Sequence, residues 1–285
     1  MPDIVAIGLR AVSFVAVLQA AGVAMFLWLF SGSLARSAGK IRSLGTKAAI
    51  AGGVFTLAYH VVQPARMTGS FSGMLDGSLQ AMLLTSDAGA TTTIRILGLV
   101  MLVLGLRKPS RLGDASSLIG ATLIVVSFGL MGHTAAHDQR WVLVTLLVVH
   151  LLIIAFWFGA LLPLYMASAR ETVADNAVVI ENFSAIAAWL VPIIFVAGLG
   201  MSVLLLEEFS NLWTAYGASL LAKVSGFAVL MGLATLNKWR FGPAIAAGHA
   251  PALRSFQRSV VAEWGLIVAV LVVTAVMTGL FSPLH

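Results

Sequence analysis

Cysteine is absent from this chain, so any soft metal it holds must be held by its 6 histidines and 11 methionines. The segment Met131-Gly-His133-Thr-Ala-Ala-His137 is followed by His150 and then by Trp157-Phe-Gly159, which sets three imidazoles around the mouth of one apolar hairpin. Histidine is rare and costly in an apolar setting, and neutral imidazole is the commonest metal ligand. His133 and His137 stand four residues apart, which puts both rings on one face if a helix runs through them. Met67, Met74 and Met82 follow the second apolar run, and Met131 and Met277 close the fourth and eighth. Thioethers select Cu(I), and imidazole accepts Cu(I) or Cu(II). Singly, each methionine reads as a gap filler, and the histidines read equally well as interfacial side chains bonded to water and backbone. Their joint placement is what argues for a metal.

The elements that carry these residues are membrane spans. Of the 285 residues 60% are hydrophobic and 10% charged, against about 25% charged in a soluble domain. Apolar runs long enough to cross a hydrocarbon core of about 30 Å recur along the whole chain. Hydropathy and turn chemistry predict eight spans, approximately 4–31, 44–66, 88–106, 115–133, 141–167, 184–206, 217–239 and 259–281. The expectation is an all-α, polytopic helical bundle forming one domain over 1–285. The first run lacks a basic n-region and a clear small-residue cleavage site, so it is expected to be a retained helix.

Basic residues give the direction. Arg36, Lys40, Arg42 and Lys47 follow span one, Arg107, Lys108 and Arg111 follow span three, and Lys238, Arg240, Arg254 and Arg258 follow span seven. Only Arg66 and Arg140 lie near loops on the alternate side. Both termini are therefore expected to face away from the cytoplasm, which means the periplasm for a bacterial inner-membrane protein. The net charge of +6 is accounted for by these orientation signals rather than by nucleic-acid binding. In this topology His133 and His137 form an outer rim. His60 lies about one and a half turns below the outer end of span two, and His150 roughly 13 Å along span five.

Thr85-Ser-Asp-Ala-Gly89 leads to Arg95, and Thr214-Ala-Tyr-Gly217 leads to Lys223, each cation six residues past its glycine. This similarity predicts two parallel four-helix repeats, about 1–139 and 140–285. Four charges fall inside spans: Arg10, Arg95, Lys223 and Glu263. Each would cost roughly 2.5–3.5 kcal/mol at a helix centre, so a structural partner is expected. For Arg10 that is the outer interface by snorkelling, and for Glu263 it is Arg254 or Arg258. For Arg95 and Lys223 it is Asp76, Asp87 or the Glu207-Glu208 pair. Gly22, Gly159, Gly198 and Gly200 suit close helix packing. No P-loop, dinucleotide fingerprint, nucleophile elbow or metalloprotease helix motif is present, and a non-enzymatic role is expected.

Several stretches together resemble the copper resistance protein D family over most of the chain. They are Met82-Leu-Leu-Thr-Ser-Asp-Ala-Gly89 running to Arg95, Gly132-His133-Thr-Ala-Ala, His150 through Trp157-Phe-Gly159-Ala-Leu, Phe183-Ser184, Thr214-Ala-Tyr-Gly217 running to Lys223, Asn237-Lys-Trp-Arg240, and the last helix with Glu263. The resemblance implies an inner-membrane protein in copper handling, commonly considered an importer, with His133 and His150 as the positions carried over first. In the family pattern the first helix often has a histidine after its arginine, where this chain has Ser13. A periplasmic copper-binding domain fused to some relatives is not found in the sequence, which implies a separate periplasmic copper carrier as partner alongside membrane lipid. A homo-oligomer is left open. The leading expectation is copper capture by His133, His137, Met131 and Met67, then passage inward by way of His60 and His150. A membrane haem protein for electron transfer is the alternative, with His60, His133 and His150 as axial ligands and Arg95 or Lys223 near the propionates.

Overall fold

The computed structural model describes residues 1–131, 138–206 and 213–280. Ten α-helices and no strands occur among them: α1 Pro2–Phe30, α2 Ala38–Thr68, α3 Gly77–Leu84, α4 Asp87–Arg107, α5 Arg111–Val126, α6 Arg140–Ser168, α7 Val173–Leu206, α8 Ala215–Leu236, α9 Gly242–Ala246 and α10 Ala250–Leu280. A 3₁₀ turn, Ser127–Leu130, extends α5, and a π-helical turn, Asn237–Phe241, joins α8 to α9. Eight of these elements are long and apolar enough to cross a membrane, at the eight places the sequence predicts. Span six starts earlier than expected, at Val173 rather than 184, because the polar segment ahead of Ser184 continues as helix beyond the apolar run.

Local chemistry fixes the helix ends. Ser86, Ser110 and Thr214 accept hydrogen bonds from the backbone N–H groups of Ala88, Gly113 and Gly217, starting α4, α5 and α8. Gly69 ends α2 in the left-handed region at φ 71°, which a side chain would disfavour. The spans alternate in direction, so the start of α1 and the end of α10 lie at one end of the bundle and the long basic loops at the other. At the terminal end Arg66 Nε donates to Asp3 Oδ1 at 2.9 Å and its Nη2 to the Gly279 carbonyl at 3.1 Å. At the basic end the buried Glu171 carboxylate accepts from the Arg36 and Ser37 N–H groups and from the Ser37 hydroxyl. It thereby ties the segment before α2 to the segment before α7.

α1 is the centre of the bundle, with 72% of its apolar window buried, against 11% for α7 and for α8. It packs on α2, α5, α6 and α10. The α1–α6 crossing is glycine on glycine. A Cβ at Gly22 would stand 1.8 Å from the Ala155 carbonyl oxygen, and one at Gly159 would stand 2.4 Å from the Gly22 Cα. Gln19 secures the same junction, donating to the Gly159 carbonyl at 3.0 Å and accepting from Trp264 Nε1 at 2.9 Å. The sequence signal for close packing at Gly22 and Gly159 is met by this contact. Gly198 and Gly200 face side chains instead: the His150 ring at 3.4 Å and Leu146 at 3.2 Å.

Candidate functional site

His60 and His150 are the two candidate ligands within described spans, and each is held by a different set of helices. His60, on α2, is buried, with Nδ1 3.2 Å from Thr92 Oγ1 on α4 and Nε2 buried without a hydrogen-bond partner. His150, on α6, lies against Gly198 of α7, whose missing side chain leaves room for the ring. The Ile194 backbone approaches that ring and Lys223 of α8 is close enough for its charge to act on it. Nδ1 nevertheless makes no hydrogen bond in good geometry. An imidazole nitrogen that is buried and unbonded forfeits a free energy that a proton donor or a metal ion would recover.

The structure does not bring these two rings into one cluster. Among the described residues no group of three or more histidine, aspartate or glutamate side chains is placed to hold a metal. His133 and His137 lie outside the described residues, so the expected outer rim does too. Met131, the last residue before that segment, is 39% exposed, and Met67 is 57% exposed near the C-terminus of α2. Both stand at the terminal end with their thioethers accessible. The loop that carries Met74 is held by Gln80, whose Nε2 donates to the Val61 and Met74 carbonyls. Asp76 caps α3, and hydrogen bonds from the Ser78 hydroxyl and then from the Leu79 and Ser78 N–H groups hold its carboxyl below the usual carboxylate range.

The intramembrane charges find partners the sequence did not suggest. Arg95 is buried, donates from Nε to Ser127 Oγ at 3.0 Å and stacks on Phe128, its guanidinium carbon 4.1 Å from the ring centre. The expected carboxylate partner is replaced by a hydroxyl and a π face, while Asp76 is spent on α3. Arg10 reaches toward the terminal end, but to protein: Nη1 donates to the Thr278 carbonyl at 3.0 Å, and its guanidinium lies over Phe14 and Tyr59. Among the described residues the only ion pair is Arg66–Asp3, so Lys223 has no carboxylate there; the expected Glu207-Glu208 pair lies outside the described residues. Glu263 corrects the sequence reading most. It does not meet Arg254 or Arg258, which line a surface cavity with Tyr165. Only 2% exposed, it accepts from Asn237 Nδ2, and from Trp157 Nε1 at 3.4 Å.

Glu263, Asn237 and Trp157 form one wall of a cavity of about 210 Å³ between α6, α7, α8 and α10. Trp157 lies seven residues after His150, two turns on and roughly 10 Å along the same face of α6. One face of α6 therefore carries the imidazole in the terminal half and the cavity wall in the basic half. Sequence reasoning gave Asn237 no separate role, Gln19 none at all and Glu171 only a loop charge. Their signal is a polar side chain inside or bordering an apolar run.

Comparisons with known proteins give the family. A family model described as copper resistance protein D-like, N-terminal domain, matches residues 1–141, and one described as copper resistance protein D matches residues 177–277. The chain is 26% identical over 226 residues to the copper transport protein CutJ of Bacillus subtilis (strain 168). That match covers 74% of this chain and 40% of the relative, so the chain spans about two fifths of the relative's length. No solved structure matches significantly. With one family description over the first four spans and the other over most of the last four, the chain is a multispan, copper-related membrane protein and belongs to the copper resistance protein D family.

Proposed function

We propose that this protein takes copper at the terminal end of the bundle and passes it through the last four spans toward the basic end. In a bacterial inner membrane this means entry from the periplasm, since the basic loops mark the cytoplasmic side. The observation that carries the reading is His150: a half-buried imidazole whose Nδ1 is buried and unbonded, seated against a glycine, on the helix face that continues to the cavity at Trp157. The Bacillus relative, a copper transport protein, supports transport over storage. Met131, Met67, His133 and His137 are the capture ligands in this reading. His60 is a second, separate imidazole in the first four spans, and the copper is cargo handed over by a periplasmic carrier.

The test is copper flux into proteoliposomes of the purified protein. Wild type is expected to carry copper inward from the terminal side, and His150→Ala to reduce the initial rate tenfold or more while the protein remains folded. Flux equal to that of empty vesicles would overturn the reading. A Soret band in the purified protein would replace it with the haem alternative.

A further inference from the structure

Glu263 has no place in copper capture. A carboxylate is a hard oxygen ligand suited to other cations, and both of its oxygens already accept hydrogen bonds, from Asn237 and Trp157. Its surroundings are nonetheless unusual for a structural acid. It is buried in a membrane-spanning helix with no basic side chain in ion-pair contact among the described residues. An unpaired buried carboxylate is among the most costly groups a bundle can hold, and neutralising it by protonation removes most of that cost.

The neighbouring amide is built to serve either form of the acid. Asn237 gives its Nδ2 to Glu263, while its Oδ1 is buried with no partner. Rotating the amide exchanges the two atoms, so a carboxylic acid O–H can donate to Oδ1 where a carboxylate accepts from Nδ2. Asn237 opens the π-helical turn, a feature frequent at functional sites. That turn also brings Lys238 and Trp239, both exposed, to the cavity rim. A cavity of about 210 Å³ has room for several water molecules at ~30 Å³ each. Among its lining residues on α6, α7 and α8 none is charged, and the π turn contributes only Lys238. On α10 itself the nearest charge is Arg258, which lines the other cavity. Ser259, one turn before Glu263, adds a buried hydroxyl without a partner.

We infer that Glu263 is a proton-binding site that exchanges one proton with the basic end of the bundle through this cavity, with the Asn237 amide turning to match the acid or the carboxylate. A proton arriving through the cavity forms an O–H bond on Glu263, taking the side chain from −1 to neutral. On release the proton returns the same way and the carboxylate recovers the Nδ2 bond. The site stands on its own geometry. Its role as a partner of cation passage rests on the proposed copper transport.

Infrared difference spectra of the full-length protein in lipid, without copper, test the site directly. On acidification a protonated carboxylic carbonyl band is expected to appear, to vanish in Glu263→Gln, and to move to higher wavenumber in Asn237→Leu, which keeps the acid but removes its acceptor. Spectra of wild type and Glu263→Gln that titrate identically would overturn the inference, and so would a Glu263 band that Asn237→Leu leaves in place. A titrating Glu263 band in a protein that carries no copper would uphold the proton site and remove the transport reading instead.

Discussion

The first four spans and the last four solve the same problem in different ways. In the first four, several buried polar side chains are matched in pairs, Ser13 with Thr56 at 2.9 Å, His60 with Thr92 and Arg95 with Ser127 and Phe128, although His60 Nε2 and the Thr91 hydroxyl have no partner. Their helices also close on glycine. A Cβ at Gly98 would meet the Gly120 carbonyl at 2.7 Å, and one at Gly105 the Gly113 carbonyl at 2.3 Å. In the last four, α7 and α8 show mostly apolar outer faces, Lys223 has no carboxylate among the described residues, and a cavity separates the helices at Glu263. Tight glycine-on-backbone packing makes a scaffold. Looser packing around a cavity makes a place where an ion or proton can move with little rearrangement.

The contrast can be broken most severely at its hinge. Gly22→Leu forces a side chain into backbone that cannot yield and is expected to cost more than about 3 kcal/mol, above the usual overpacking range. Loss of a folded monodisperse protein in size-exclusion chromatography would show it. A next step down is Glu171→Ala, which strands three donors linking the two sets of spans, the two on Ser37 being buried. A loss of about 2–3 kcal/mol is expected in thermal unfolding, with copper binding unchanged in whatever protein remains folded.

The paired cations sharpen the comparison further. Arg95→Met gives up a charged hydrogen bond and a desolvated stacking contact, for an expected loss of about 1–2 kcal/mol. Lys223→Met removes a cation without a carboxylate partner among the described residues and is expected to be neutral or stabilising by up to about 2 kcal/mol. Equal losses in both variants, measured by denaturant unfolding in detergent, would erase the distinction between the halves.

The smallest effect is local. Asp76 is held below its ordinary range in the folded state, so its contribution is present above the unfolded carboxyl range and fades as pH falls through the folded value. Hydrogen exchange at Ser78 and Leu79 is expected to quicken on acidification in wild type. In Asp76→Asn that pH dependence should be absent.

What could be read from the sequence follows from periodicity and cost. The eight spans were legible because apolar length is a one-dimensional property, and the close α1–α6 crossing because glycine at Gly22 and Gly159 has few other uses in a long helix. That Arg95 and Glu263 need partners was also legible, since the cost of burying a charge does not depend on the fold. Which partners they take was not. A sequence shows the nearest opposite charge along the chain, whereas the bundle offers hydroxyls, ring faces and amides from helices 26 to 106 residues away. The expected ligands His60 and His150 were legible as residue types, but their separation into different helix sets depends on packing that no local pattern encodes.

In the proposed function His150 holds copper on its way through the last four spans. Competition titration of Cu(I) against wild type and His150→Ala tests it most directly. Micromolar or tighter binding is expected in wild type, weakened at least tenfold, or about 1.4 kcal/mol, by the substitution, with His60→Ala affecting it less. Identical copper affinity in wild type and His150→Ala would contradict it.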